Sequence, residues 1–103
     1  KHVNAQEAHN LLNSEKTIQV LDVRTAREFQ QGHLEGAINI DYYADDFADQ
    51  LKALDPNTEY LVHCRSGVRS GKSLAILKSA GVKKLIHLDG GINAWLSKDL
   101  PLN

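Results

Sequence analysis

The chain has 103 residues, 42% of them hydrophobic, enough for one buried core and too few for two, so residues 1–103 are expected to form one domain. A net charge of −1 gives no basis for nucleic-acid or membrane-surface binding, and no apolar run approaches the length of a membrane span. The one cysteine excludes an internal disulfide, and His2, His9, His33, His63 and His87 lack metal-ligand spacing, so no metal is expected.

Asn4 with Glu7 three residues later is a capping box that opens a helix carrying Ala8, Leu11 and Leu12. "IQVLDV", 18–23, is short, β-branched and nearly all apolar, the pattern of a strand buried on both faces. Thr25 with Glu28 opens a second short helix, which Gly32 closes. "GAINI", 36–40, reads as another strand, and "DDFADQLKAL" sets Phe47, Leu51 and Leu54 at helical spacing behind acidic residues. After the turn "DPNT", "YLVHC" is a buried strand that ends at Cys64. "SGKSLAILKSAG" is a helix with Leu74 and Leu77 inward, Lys78 near its end and Gly81 just beyond it. "KLIHL" is a strand, "DGG" a turn and "INAWLSK" the last helix. Strands alternating with helices imply an α/β fold with a parallel sheet, in which ligands bind beyond the carboxyl ends of strands. Cys64 sits at one of those ends.

Local charge agrees with that placement. Between Tyr60 and Leu88 there are six basic residues (Arg65, Arg69, Lys72, Lys78, Lys83, Lys84) and no acidic one. Such a segment favours a small anionic substrate.

The loop "HCRSGVRSGKS" is open to three chemistries: nucleotide binding, cysteine-phosphatase action and sulfur carriage. Nucleotide binding needs four residues between the glycine and the Gly-Lys-Ser/Thr of a P-loop, but only three separate Gly67 from Gly71. In a strand–Cys–loop–helix order, the backbone N–H groups of Arg65, Ser66, Gly67, Val68, Arg69 and Ser70 can converge as an anion cradle. That cradle, with Arg69, would stabilise a thiolate and make Cys64 a nucleophile at neutral pH. Gly67 lets the backbone curl. A buried structural cysteine is the competing account, which this order of features disfavours. His63 belongs to the opposite face of its strand and is read as a packed, hydrogen-bonded histidine rather than a base. No Ser-His-Asp arrangement is legible.

Three segments carry a family resemblance. "LDVRTAREFQQGHLEGAINI", "CRSGVRS" and "HLDGGINAW" resemble, in that order, the first signature, the active-site loop and the second signature of the single-domain rhodanese family, and they span almost the whole chain. The resemblance implies about five mostly parallel strands flanked by helices on both faces. It also implies a cysteine that accepts a sulfane sulfur as a persulfide and passes it on. Phosphatase and arsenate-reductase relatives carry five residues between Cys and Arg, whereas four separate Cys64 from Arg69, which favours sulfur transfer.

On this reading Cys64 takes sulfur from a small anionic donor, thiosulfate or a persulfide, and yields it to cyanide, a thiol or a protein acceptor, with no cofactor. Arg69 is expected to orient the donor, bracing of the loop through carbonyls or a carboxylate being the alternative. Arg65 either lines the mouth of the site or is solvated, and Ser66 and Ser70 either donate to the persulfide or cap the next helix, the cap being expected for Ser70. Asp22 and Arg24 are placed behind the loop, in an ion-pair network with Glu28. His33 is expected to bond backbone in a turn, Lys72 to be exposed and Trp95 to anchor the core. A non-catalytic rhodanese-like binding module and a cysteine phosphatase or arsenate reductase remain the alternatives. A monomer is expected, in the cytoplasm, or in the periplasm if an export signal has been removed.

Overall fold

In chain order the elements are β1 (His2–Val3), α1 (Ala5–Leu12), β2 (Ile18–Asp22), α2 (Ala26–Gln30), β3 (Ile38–Asn39), α3 (Phe47–Lys52), β4 (Glu59–His63), α4 (Val68–Ser79), β5 (Lys84–Leu88) and α5 (Gly91–Ser97). They come from a computed structural model that describes residues 1–103. The five strands form one sheet in the order β1-β5-β4-β2-β3, and every neighbouring pair is parallel. This is the α/β architecture expected from the alternating pattern. No helix is long and apolar enough to cross a membrane.

The period of two along each strand divides the core into two clusters. On one face Val20, Leu61, Ile86 and Leu88 pack with Ala5 and Ala8 of α1 and Ile92 and Trp95 of α5. On the other, Leu21, Tyr60, Val62 and Cys64 pack with Phe47 and Leu51 of α3 and Leu77 of α4. Trp95 is a core anchor, and its Nε1–H donates to the Pro101 carbonyl at 2.9 Å.

Both capping boxes form. The Asn4 side chain accepts from the Glu7 amide and the Thr25 hydroxyl from the Glu28 amide, with each glutamate returning to its cap backbone. Three features depart from the sequence reading. β1 was not expected: two residues show no periodicity, yet His2 pairs with His87 and Val3 with Leu88. β3 is confined to two residues rather than five. α4 begins at Val68 instead of Ser70, because Gly67 takes the left-handed conformation (φ 109°) and serves as its N-cap.

The sheet order puts β4 in the centre, paired with β2 on one side and β5 on the other. Cys64 is the first residue beyond its carboxyl end.

Candidate active site

Cys64 sits at the floor of a loop formed by residues 64–67, with 1% of its surface exposed. Its Sγ accepts the Gly67 N–H at 3.1 Å and faces the Ser70 hydroxyl at 3.3 Å. Burial pushes the thiol pKa up. The Ser70 hydroxyl and the N–H groups of Ser70, Gly67 and Ser66 outweigh that cost and hold the pKa below the ordinary cysteine value. A thiolate here is stabilised by dipoles that are already in place. Around it, Arg65, Ser66 and Val68 are exposed at the rim, and Lys72 is exposed one turn into α4.

The Arg69 guanidinium is taken up by Glu28. Its Nη1 and Nη2 donate to the two Glu28 oxygens at 2.7 and 3.0 Å, and its guanidinium lies 5.6 Å over the Tyr43 ring. Instead of the expected donor-orienting position, this is the contact of the bracing alternative, with a carboxylate as partner. The pair also corrects the expected network: Glu28 bonds Arg69, not Arg24. The Arg69 guanidinium, opposed by burial and helped by the Thr25 amide, lowers the Glu28 carboxyl to about 2. The positive charge of Arg69 is still felt at Cys64.

Asp22 and Arg24 form a closed unit behind the loop. Arg24 Nε donates to both Asp22 oxygens at 3.0 Å, and its Nη2 reaches Asp22 Oδ2 and the Gly32 carbonyl at 2.8 Å each. Both side chains are buried. Asn39 of the "GAIN" run ties the same turn by donating to the carbonyls of Asp22 and Arg24 at 3.0 and 2.9 Å. Asp22 Oδ2 lies 3.6 Å from Nε2 of the fully buried His63, whose Nδ1–H donates to the Cys64 carbonyl at 3.0 Å. Burial pushes the His63 pKa down, so the ring is neutral there. It supports the backbone of Cys64 and does not face the sulfur. His33 donates through Nδ1 to the Phe29 carbonyl at 3.0 Å and stacks on the Phe29 ring.

The "DGGINAW" run docks on the loop from the other side. The amides of Ile92 and Asn93 donate to the carbonyls of Cys64 and Arg65 at 2.9 and 3.0 Å. That approach needs Gly91: a Cβ there would lie 2.5 Å from the Arg65 oxygen and 2.6 Å from the Cys64 oxygen, and the residue has φ 58°. The second glycine is therefore required by the site's own backbone.

Two expectations about polar residues are overturned. Ser70 is not a helix cap; it lies inside α4, fully buried, with its hydroxyl turned toward Cys64. A Ser-His-Asp arrangement, absent from the sequence reading, is present. Ser70 Oγ is 2.7 Å from His87 Nε2, and His87 Nδ1 is 2.8 Å from Asp89 Oδ1, which also receives His2 Nδ1 at 2.8 Å. His87 pairs in register with Val62, so the alternation that faces Val62 and Cys64 toward α4 faces His87 the same way. The available signal was the i, i+2 spacing of His87 and Asp89 at a strand end.

The rhodanese-like domain family profile matches residues 4–98. Thiosulfate sulfurtransferase 18 of Arabidopsis thaliana is 38% identical to the chain, over 98% of the chain and 82% of that protein. Rhodanese-like domain-containing protein 17 of the same plant is 34% identical, over 97% of the chain and 70% of that protein. Among solved structures, a rhodanese-related protein from Thermoplasma volcanium superposes with a TM-score of 0.87 at 27% identity, covering 100% of this chain and 97% of the other. With the cysteine loop at the end of the central strand and both signature runs folded around it, the chain belongs to the rhodanese-like domain family.

Proposed function

We propose that the protein is a sulfurtransferase that carries sulfane sulfur on Cys64. The observation that supports this most directly is the Cys64 sulfur held in a cradle of hydrogen-bond donors that lowers its pKa, with four residues between it and Arg69. A relative named thiosulfate sulfurtransferase supports the same reading.

In the first half-reaction the Cys64 thiolate attacks the outer sulfur of thiosulfate. An Sγ–S bond forms, the S–S bond of the donor breaks, and sulfite leaves with the bonding pair. The persulfide anion that results sits where the N–H groups of Ser66, Gly67 and Ser70 converge, so its charge is met by fixed dipoles. In the second half-reaction cyanide or a thiolate attacks the outer sulfur and Sγ departs as the thiolate, ready for another cycle. The chain has no other cysteine, so the acceptor comes from outside. Neither step calls for a cofactor. With Arg69 committed to Glu28, the exposed Arg65 supplies the free positive charge at the mouth.

Intact mass spectrometry of the reduced protein tests this. The wild type is expected to gain one sulfur atom on thiosulfate treatment and lose it to cyanide, while Cys64→Ser gains none. No adduct on the wild type with thiosulfate or glutathione persulfide would sink the reading. Release of p-nitrophenol from its phosphate ester, lost in Cys64→Ser, would favour phosphatase chemistry instead.

A further inference from the structure

The Ser70 hydroxyl has a single proton and lies within reach of two acceptors, Cys64 Sγ at 3.3 Å and His87 Nε2 at 2.7 Å. Which of them receives it follows from the far side of the imidazole. Asp89 is ionised, its carboxyl held below the ordinary value by hydrogen bonds from His2 and His87, so Oδ1 only accepts. Nδ1 of His87 must therefore carry hydrogen, and in the neutral ring Nε2 is an acceptor. Ser70 then donates to His87, which leaves Ser70 Oγ free to accept from the thiol of Cys64.

We infer that Ser70, His87 and Asp89 form a proton relay for Cys64, in which His87 takes the thiol proton through the Ser70 hydroxyl and Asp89 fixes the tautomer that can receive it. The transfer balances within the group. The S–H proton passes to Ser70 Oγ, the Ser70 proton passes to Nε2, and the products are a thiolate and an imidazolium. The hydrogen bonds then reverse direction: Nε2–H donates to Ser70, and Ser70 donates to the thiolate. Cys64 is a buried residue, and the Ser70 hydroxyl 3.3 Å from its sulfur gives the thiol proton a path to a base within the protein. Nucleophile, hydroxyl, base and orienting carboxylate stand in the order that activated nucleophiles use, with a serine interposed.

Other charges bear on the ring. His2 of β1 packs edge-on at 5.1 Å between centroids, Lys1, Lys78 and Lys83 line the same recess, and the neutral His63 lies near enough to sense its charge. The cations oppose an imidazolium, so Asp89 and the thiolate are what stabilise it. His87 is a positioning and proton-accepting residue; it does not touch the donor.

The inference deepens the reading of Cys64 as the sulfur carrier, and its test does not depend on sulfur transfer. The rate of Cys64 alkylation by iodoacetamide is measured across pH for the wild type, Ser70→Ala, His87→Gln, Asp89→Asn and the Ser70→Ala/His87→Gln double variant, each checked for folding by near-UV circular dichroism. At pH 7 each of the first two variants is expected to react at least about tenfold more slowly, the effect of losing one hydrogen bond to a charged group. The pH profiles should shift upward, and the double variant should be no slower than either single one. Asp89→Asn, at an exposed carboxylate, should fall between, and it carries the test if His87→Gln does not fold. A wild-type profile in both His87→Gln and Asp89→Asn, or additive losses in the double variant, would overturn the relay. If alkylation is coupled as described but no variant or wild type takes up sulfur, the relay stands and the sulfurtransferase reading fails.

Discussion

Glu28 accepts the Thr25 amide and hydroxyl and the Arg69 guanidinium with one carboxylate, which holds its pKa at about 2 against an ordinary 4.5. Because the folded value is the lower one, the stabilisation is complete above the unfolded value and is lost as pH falls from about 4.5 toward 2. Glu28→Gln keeps the capping box, since glutamine also serves at that position. It should therefore cost roughly 1 kcal/mol at pH 7, allowing for solvent screening of a partly exposed pair. The cost should vanish near the acid end of that window, as read by urea unfolding at several pH values. At this scale the cysteine was legible because its neighbours in sequence are its neighbours in space. The partners of Glu28 and Ser70 were not, since Glu28 meets Arg69 from 41 residues away and Ser70 meets His87 from 17. No local rule pairs residues so far apart. Serine's preference for helix caps suggested a role that the earlier start of α4 removes.

Elements were most legible where a side chain closes them. Asn4 with Glu7 and Thr25 with Glu28 mark α1 and α2 to within a residue, because capping satisfies amides that the helix itself leaves open. Backbone-defined boundaries were less so: the left-handed Gly67 starts α4, and β1 is too short to show a period. The role of α5 shows the same division. Its apolar spacing announced a core helix, but its contact with the loop depends on the absence of a Cβ at Gly91. Gly91→Ala sets a methyl 2.5 Å from the Arg65 oxygen at φ 58°. Such strain against backbone should cost about 2–4 kcal/mol and lower Tm by roughly 10 °C or more. Differential scanning calorimetry measures the first effect. Sulfur uptake by the folded fraction measures the second, a displaced Cys64 carbonyl and a weakened cradle. A Tm within a degree or two of wild type would mean that α5 can retreat without cost.

For the molecule as a whole, the alternating pattern was enough to expect a parallel sheet, but not its order. Nothing in the run of residues places β5 between β1 and β4, and that order alone brings His2, His87 and Asp89 beside the strand that ends in Cys64. The burial of the sole thiol at the end of the central strand has a further outcome under oxidation. A disulfide between two copies requires their sulfurs at about 2.05 Å and their Cα atoms within about 7 Å. Two β4 ends cannot come that close while each is covered by its own 64–67 loop and by α5, both hydrogen-bonded in place. Oxidant should therefore drive Cys64 to a sulfenic acid or a mixed disulfide with a small thiol, and not to a covalent dimer. Protein aged in air is expected to run as a monomer on a non-reducing gel; a reducible band at twice the mass would show that the loop opens. On the proposed reading of Cys64 as a sulfur carrier, the same shielding would require a protein acceptor to present its own thiol on a narrow, extended tip.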